Sequence, residues 1–310
     1  MKAAQISQYG HIDVINIVDI PVPTINDEQV LVQVQASSLN PFDSTVREGG
    51  MKDAVPMAFP FTLGGDIAGV VTQVGAAVKH VAVGDKVYGQ ANAVGGSSGA
   101  FAEYAATAGS HVAVAPKNSS IADIGALPLV GVSAVQAIET HCNLQPGQKI
   151  LIHGGTGGIG SIAVQIAKHI GAYVAATVPP EAVGFAHERG IDEAIDYKSQ
   201  HFEELIKDYD AVFDTAGGTF EKSLSVLKKG GVFVTMLGEA DDEQAQKHGI
   251  TAINQQTHVT SEALSRLTEL VEAGVVSVHV ALSFPLDQIQ EAFEKREGGG
   301  IHGKIGIQIQ

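Results

Sequence analysis

The chain has very little cysteine and few basic residues, and both shortages exclude classes of protein. Cys142 is the only cysteine among 310 residues, so the chain cannot form an intrachain disulfide or a zinc site that needs several thiolates. Its 19 Lys and Arg residues stand against 34 Asp and Glu residues, which gives a formal net charge of −15 at pH 7. Because nucleic acid and anionic membranes attract clustered basic residues, we expect neither nucleic acid nor a membrane as a partner.

The chain also lacks a long uninterrupted apolar run. The first residues, MKAAQISQYGHID, have no apolar core of the kind that signal peptides have. The apolar stretch 121–138 contains Asp123, Pro128 and Gln136, so it predicts a pair of buried helices and not a membrane span. We therefore expect a cytoplasmic protein, and 310 residues are enough for two packed domains.

Glycine, in contrast, is concentrated in one informative place. A short apolar strand over Lys149–His153 is followed by a glycine turn and then by helical periodicity over Ser161–Ile170. Within the turn, Gly155, Gly157 and Gly160 have the spacing G-x-G-x-x-G, which indicates a dinucleotide-binding loop when it lies between a strand and a helix. The first glycine allows the tight turn, the second lets the backbone approach a pyrophosphate, and the third lets the helix pack on the strand.

The helix after this turn would present free N–H groups and the positive end of its dipole to the phosphates. A glycine-rich turn without a ligand is the alternative, and the strand–turn–helix context makes it the weaker one. The loop residues predicted to bind the dinucleotide are Gly155, Thr156, Gly157, Gly158, Ile159 and Gly160.

The pattern of strands and helices divides the chain into two predicted domains. Residues 1–120 are rich in strand patterns, and residues 121–275 alternate strands with helices around the glycine turn. Such alternation predicts a doubly wound parallel sheet covered by helices, which is an α/β fold. Residues 276–310 regain strand character, and we expect Ile305–Ile309 to return to the first domain and help to complete it.

The predicted parallel strands place a second group of residues near the same ligand. In a doubly wound sheet, ligands bind beyond the carboxyl ends of the strands. Thr177, Ala216, Gly217 and Leu237 end or follow predicted strands, so we expect them to line the cofactor.

Several separate segments, taken in order, resemble the zinc-independent quinone oxidoreductase branch of the medium-chain dehydrogenase/reductase superfamily. They are SLNPFD at Ser38–Asp43, the glycine- and valine-rich stretch Leu63–Gly89, GAFAEY at Gly99–Tyr104, LPLVGVSA at Leu127–Ala134, DAVFDTAGG at Asp210–Gly218 and HGKI at His302–Ile305. The resemblance covers nearly the whole chain. It implies a GroES-like β-rich catalytic domain, a Rossmann domain that contains the parallel sheet, and a homodimer.

The resemblance also implies a reaction without zinc: hydride transfer from a nicotinamide cofactor to a small-molecule quinone or α,β-unsaturated carbonyl substrate. Zinc-dependent relatives hold catalytic zinc partly through a Cys and a Gly-His-Glu element. Here Asn40 stands near the Cys position, and Gly64, Gly65 and Asp66 replace the second element. Glycine has no ligand atom and a carboxamide is a poor ligand for zinc, so we expect no metal.

Asn40 and Asp43 are the candidate catalytic residues. Asn40 would donate an amide N–H near the nicotinamide or the acceptor carbonyl, or it would only fix the Asn-Pro turn. Asp43 would act as a general acid, or it would hold the structure of the loop. Ser133 would contact the nicotinamide or a phosphate, or it would lie within a buried helix. The proton donor is not assigned, and solvent can supply that proton.

The residues after the second strand of the parallel sheet bear on which nicotinamide cofactor binds. NAD-specific folds place an acid there, roughly 20 residues after the glycine run, to bind both ribose hydroxyls. The sequence here is TVPP at Thr177–Pro180, and the first carboxylate is Glu181. The missing acid favours NADP(H), although the segment also lacks the Lys or Arg that NADPH-dependent relatives often have.

Other residues are candidates for the cofactor by resemblance. Tyr197 matches a position that contacts the 2′-phosphate of NADPH, and Lys198 and Arg189 are further candidates. Lys304 would reach the cofactor, or it would be an ordinary surface lysine.

Two alternative functions stay open at this point. The first is reduction of enones, alkenals or enoyl thioesters by the same fold. The second is a non-catalytic NADP(H)-binding sensor, because a fold does not fix a function by itself.

Overall fold

The computed structural model describes residues 1–309, and the chain divides into two units. Unit 1 consists of Met1–Leu129 together with the segment that begins at Val259. Unit 2 consists of Val130–His258. Each unit has its own sheets and its own buried core.

Most strands of unit 1 lie in the first of its two segments. Its first segment contains β1 (Lys2–Ile6), β2 (Asn16–Asp19), β3 (Gln29–Leu39), α1 (Pro41–Arg47), β4 (Phe61–Thr62), β5 (Asp66–Val74), β6 (Lys86–Gln90), β7 (Tyr104–Ala108), β8 (Val112–Val114) and α2 (Ile121–Gly125). The next helix, α3 (Pro128–Val135), continues through a π-helical turn over Gln136–His141.

Unit 2 alternates strands and helices, and the chain then returns to unit 1. Unit 2 contains β9 (Lys149–His153), α4 (Gly158–Ile170), β10 (Tyr173–Val178), α5 (Val183–Glu188), β11 (Glu193–Asp196), α6 (Phe202–Leu205), β12 (Tyr209–Asp214), α7 (Phe220–Leu224), β13 (Leu227–Thr235), α8 (Asp242–Lys247) and β14 (Thr251–Asn254). The second segment of unit 1 contains α9 (Ser261–Glu272), β15 (Val280–Pro285), α10 (Ile289–Glu297) and β16 (Lys304–Gln308).

Unit 1 has two sheets. β1 pairs with β2 and β4 in a small antiparallel sheet. The larger sheet has the order β15-β16-β3-β5-β6-β8, and β7 also pairs with β3. β3 buries Val30, Val32 and Val34, as its alternating sequence predicts. β16 pairs antiparallel with β3, with Ile305 opposite Leu39, so the last strand lies beside the chain that leads into α1.

Unit 2 has one six-stranded sheet of parallel strands, in the order β11-β10-β9-β12-β13-β14. This order confirms the predicted doubly wound parallel sheet. β9 lies inside the sheet and buries Ile150, Leu151 and Ile152 completely. A strand buried on both faces has such a continuous apolar sequence, because helices cover the sheet on either side.

Some elements differ from the sequence predictions, and β14 was not predicted at all. The sequence pattern over Val81–Tyr88 predicts a strand, but β6 begins only at Lys86 because Gly84 forms a turn with φ of +94°. The sequence pattern over Thr219–Lys228 predicts a helix, but α7 is limited to Phe220–Leu224, and β13 begins at Leu227. A single helical turn gives too little periodicity for its end to be predicted from sequence.

The division into units also differs from the predicted boundaries at residues 120 and 276. α2 packs on β3 and β5, and α9 packs on β8, so both helices belong to unit 1. Of the helices within residues 1–309, none combines the length and apolar character that crossing a membrane requires.

Candidate active site

The glycine loop, Gly154–Gly160, connects β9 to α4 at the carboxyl end of the parallel sheet in unit 2. The N–H of Gly155 donates to the carbonyl of Thr177 at 3.2 Å, which fastens the loop to the end of β10. The N–H of Gly157 donates to the carbonyl of Gly154 at 3.0 Å and closes the turn. The loop therefore has the strand–turn–helix context that its spacing requires.

The three glycines of the fingerprint are needed for different reasons. A Cβ on Gly155 would lie 2.5 Å from Cβ of Ala176, and a Cβ on Gly160 would lie 2.2 Å from the carbonyl oxygen of Gly154. Packing within the protein thus excludes a side chain at both positions. A Cβ on Gly157 would meet only the Gly154 carbonyl oxygen, at 3.3 Å. The space beside Gly157 is the space that a pyrophosphate needs, so the loop fits a dinucleotide.

The N-terminus of α4 is suited to hold that pyrophosphate. The helix has 13 residues and begins after Gly157, and no side chain of the described residues caps this end. Its first turn contains no acidic residue, whereas Lys168 and His169 lie in its last turn. The unpaired N–H groups and the positive end of the helix dipole are therefore available to an anion.

The residues predicted from the strand ends lie on the same edge of the sheet as the glycine loop. Thr177 is buried, and its Oγ1 accepts the N–H of Gly154 at 3.2 Å. The N–H groups of Ala216 and Gly217, after β12, donate to Oδ1 of Asp214 at 2.8 and 3.0 Å. The side chain of Leu237, after β13, is 51% exposed. Their contact with a cofactor stays a prediction.

Ser133 lies fully buried in α3. Its Oγ is 2.7 Å from Oγ1 of Thr257, and its carbonyl accepts Nε2 of Gln255 at 3.0 Å. These contacts agree with the alternative that Ser133 lies in a buried helix, and its contact with the cofactor stays a prediction.

His153, the last residue of β9, was missed by the sequence analysis. The ring is buried, with Nδ1 3.1 Å from Oγ1 of Thr177 and Nε2 3.1 Å from Oγ of Ser223. It also contacts the Phe202 ring edge-on, with centroids 4.6 Å apart. Burial lowers the pKa of His153 to about 4, although the negative charge of Asp214 acts in the opposite direction. The neutral ring therefore holds Thr177, which in turn holds the glycine loop.

We predict that His153 makes unit 2 sensitive to acid. Because the folded protein lowers the histidine pKa below its ordinary value of 6.5, the contribution of His153 to stability is complete above that pH and is lost as the pH falls from 6.5 toward 4. The loss is roughly 3 kcal/mol at most. Chemical denaturation at pH 7 and pH 4.5 should show a smaller pH dependence for His153→Gln than for the wild type. His201→Gln, at an exposed position, is the control; equal pH dependence in all three proteins would contradict the prediction.

The Asn40 cluster, formed by Ser38, Asn40, Asp43, Asp66 and Lys304, is the polar centre of unit 1. All five residues are buried. Asn40 Nδ2 donates to Oδ2 of Asp66 at 2.8 Å, and Asn40 Oδ1 accepts from Nζ of Lys304 at 2.5 Å. A flipped amide would turn its NH₂ toward the ammonium and its oxygen toward the carboxylate. The cluster therefore fixes which way the Asn40 amide faces.

Asp43 holds the start of α1, for which Asn40 is the N-cap residue. Oδ2 of Asp43 accepts the backbone N–H of Asn40 at 2.7 Å. Burial, and to a smaller extent the nearby charge of Asp66, raise the pKa of the Asp43 carboxyl to about 7, although the hydrogen bond from Asn40 opposes the shift. Such a group exchanges its proton near neutral pH, which a general acid requires. Both sequence interpretations of Asp43 thus stay open.

Lys304 is not a surface lysine, which corrects one of the two sequence interpretations. Its side chain is 4% exposed, and Nζ donates to the carbonyl of Leu39 at 2.8 Å as well as to Asn40. Oδ2 of Asp66 lies 3.8 Å from Nζ. Burial lowers the pKa of Lys304, and the carboxylates of Asp66 and Asp43 oppose that shift. Contact between Lys304 and a cofactor stays a prediction.

Asp66 shows why the Asn40 cluster does not fit a zinc ion. Its Oδ2 accepts Oγ of Ser38 at 2.9 Å together with the Asn40 amide, and its Oδ1 accepts the N–H of Leu129 at 2.9 Å. A divalent cation at this carboxylate would meet the Lys304 ammonium. Within residues 1–309, no group of three or more His, Cys, Asp and Glu side chains could hold a metal ion.

Tyr197 lies after β11, the strand next to β10 in unit 2. Its N–H donates to the carbonyl of Val178 at 3.2 Å, and its side chain is 57% exposed. The ring is therefore open to a ligand at the carboxyl end of β10, and its contact with a 2′-phosphate stays a prediction.

Comparison with family descriptions finds two matches within the chain. Residues 26–117 match the family described as alcohol dehydrogenase GroES-like domain, and residues 189–305 match the family described as zinc-binding dehydrogenase. The protein is thus a two-unit oxidoreductase with a GroES-like part and a Rossmann-type dinucleotide-binding part.

Individual relatives define the branch. The chain is 36% identical to the NADPH-dependent alkenal/one oxidoreductase of Arabidopsis thaliana, over 99% of this chain and 79% of the relative. It is 32% identical to a chloroplast envelope quinone oxidoreductase homolog of the same plant, over 99% and 98% of the two chains. The solved quinone oxidoreductase of Coxiella burnetii is 29% identical, with a TM-score of 0.90 over 100% of this chain and 99% of that chain. The chain belongs to the zinc-independent quinone oxidoreductase branch of the medium-chain dehydrogenase/reductase superfamily, and it is an NAD(P)H-dependent enzyme.

Proposed function

We propose that the protein transfers a hydride from NADPH to a quinone. The open space beside Gly157 at the uncapped end of α4 is the observation on which the dinucleotide part of the proposal rests. The relatives named quinone oxidoreductase support the choice of acceptor. Two observations support NADPH over NADH: the name of the NADPH-dependent alkenal/one oxidoreductase of Arabidopsis thaliana, and the lack of an acid within Thr177–Pro180.

The residues of the chain would bind and orient the reactants, because the nicotinamide itself supplies the hydride when it is bound. The first turn of α4 would hold the pyrophosphate. The N–H of the Asn40 amide that does not donate to Asp66 would face the carbonyl oxygen of the acceptor, where an N–H donor stabilises the negative charge that develops on reduction. Lys304 on the amide oxygen makes the N–H groups of Asn40 more polar and thus better donors.

A second candidate acceptor is an enone or alkenal, which shares with quinones a C=C bond conjugated to a carbonyl. The name of the relative at 36% identity favours this candidate. An enoyl thioester is a weaker candidate, because its nucleotide tail would need basic residues and the chain has a net charge of −15.

Titration of the purified protein with NADPH and NADH, followed by turnover, tests the proposal. We expect tighter binding of NADPH and its oxidation by 1,4-benzoquinone at a higher kcat/KM than by a simple enone. Faster reduction of the enone would favour the second candidate. Binding of NADPH without turnover of either acceptor would favour the non-catalytic sensor.

We further propose that the enzyme works without zinc and forms a homodimer. Elemental analysis should find less than stoichiometric zinc, and a chelator should leave turnover unchanged.

Light scattering at micromolar concentration should give twice the mass of the 32.2 kDa chain. A cytoplasmic location stays a prediction from the sequence.

A further inference from the structure

The carboxyl ends of β10 and β11 bring one acidic and one basic side chain together. The two strands are parallel neighbours, with Val178 opposite Asp196. Glu181 follows β10 within a short 3₁₀ turn, Pro180–Ala182, and Lys198 follows β11. Oε2 of Glu181 lies 3.6 Å from Nζ of Lys198, and each side chain is about half exposed. The pair is therefore open to a ligand as well as to each other.

This place in the fold is where the adenosine ribose of a bound dinucleotide lies. A carboxylate at the end of the second strand binds the two ribose hydroxyls of NADH and repels a 2′-phosphate, whereas a basic residue nearby accepts that phosphate. In this chain the strand-end segment Thr177–Pro180 has no acid, but the first carboxylate after it, Glu181, is paired with the basic Lys198. Pro179 and Pro180 restrict the backbone before Glu181, which limits how far its carboxylate can move away from the strand end.

Of the charged side chains that follow or flank these strand ends, Lys198 is the one suited to bind a phosphate, and Asp196 and Arg189 are not. Asp196 accepts the N–H of Lys198 at 2.9 Å and Oγ of Ser199 at 2.6 Å, and its negative charge would repel a phosphate. The guanidinium of Arg189 already interacts with another side chain, because it lies over the ring of Phe185 on α5, 4.9 Å from the ring centroid.

We infer that Glu181 and Lys198 together determine the preference between NADPH and NADH, because Glu181 competes with the 2′-phosphate for the Lys198 ammonium. The inference rests on the proposed binding of a nicotinamide dinucleotide at the glycine loop. If the inference holds, removal of Glu181 and removal of Lys198 shift the preference between NADPH and NADH in opposite directions. Without Glu181, the ammonium is free for the phosphate; without Lys198, the carboxylate is free for the ribose hydroxyls. If the ion pair had only a structural role, removal of either residue would shift the cofactor preference in the same direction.

The test measures dissociation constants of NADPH and NADH for Glu181→Gln and Lys198→Met by fluorescence titration. We expect Glu181→Gln to increase the preference for NADPH about fivefold, and Lys198→Met to decrease it about tenfold. Lys198→Arg should restore most of the wild-type preference. Adenosine 2′,5′-bisphosphate and AMP, which lack the nicotinamide, should show the same shifts and so assign them to the adenosine end.

Glu243→Gln is the matched control, because it removes the same charge from an exposed pair of unit 2, with Lys247 at 2.8 Å on α8. It should leave the preference unchanged. Shifts in the same direction for Glu181→Gln and Lys198→Met, or no shift in either, would overturn the inference. A wild type that prefers NADH would refute the proposed cofactor, while opposite shifts from that starting point would still support the inference. A wild type that binds neither dinucleotide would overturn both.

Discussion

Replacement of Gly157 with valine is expected to weaken NADPH binding by about two orders of magnitude while the protein stays folded. The folded loop has space for a Cβ at this position, apart from the contact at 3.3 Å with the Gly154 carbonyl oxygen, and the backbone has φ of −76° and ψ of 176°, which valine readily adopts. The valine side chain would occupy the space that the pyrophosphate needs. Fluorescence titration and thermal unfolding of the same preparations measure the two effects.

Two further variants separate cofactor binding from folding. Gly160→Val should lower the unfolding temperature strongly, because its Cβ would lie 2.2 Å from a backbone oxygen. Gly184→Val on α5 should leave NADPH affinity unchanged, because no heavy atom of the described structure, neighbouring backbone aside, lies within 4 Å of its Cβ position. Wild-type affinity in Gly157→Val would refute the proposed use of the glycine loop.

Replacement of Lys304 with methionine is expected to lower the free energy of unfolding by about 4 kcal/mol at pH 7. The substitution removes the positive charge from the Asn40 cluster and leaves the carboxylate of Asp66 buried 3.8 Å from where the ammonium was. An uncompensated buried charge costs more than a lost surface pair, because water cannot reach it. Denaturant unfolding of the full chain, followed at more than one wavelength to detect separate transitions of the two units, measures the effect.

A second substitution shows whether charge is the cause. Lys304→Met combined with Asp66→Asn should recover a large part of the lost stability, because the double variant buries neither charge. Lys2→Met is the matched control, since Lys2 and its partner Asp287 are both exposed, and it should change stability far less than Lys304→Met does. A loss in Lys304→Met no larger than in Lys2→Met would contradict this account.

The sequence predicted the glycine loop well because all the information for that loop is local. Three signals follow one another within 22 residues: the strand pattern Lys149–His153, the spacing of Gly155, Gly157 and Gly160, and the helical periodicity. The structure has the strand at the expected residues and the helix over Gly158–Ile170. The doubly wound sheet could be predicted for a similar reason. Alternating strands and helices need only short-range patterns, and parallel order follows from the connections.

The Asn40 cluster could not be assembled from the sequence in the same way. Lys304 and Asn40 are 264 positions apart, and they meet only because β16 pairs with β3 in one particular register. Asp66 gave a weak signal as a single acid at the start of the apolar run DIAGVV, and Lys304 gave one between glycine and IGI. Neither signal indicates a partner, since burial of a charge is set by tertiary packing. The helix and strand ends around Leu227 were missed because Phe220–Leu224 is a single turn.

The pairing of β16 with β3 also has a consequence for the order in which the protein folds on the ribosome. Asn40 and Asp66 leave the ribosomal exit tunnel long before Lys304 does. The carboxylate of Asp66 therefore lacks the Lys304 ammonium while more than 200 residues are synthesised. Unit 2, by contrast, is contiguous and complete at His258. Unit 2 can therefore reach its native structure first during translation, whereas the Ala36–Leu39 end of β3 stays unpaired on the side of β16 until that last strand arrives.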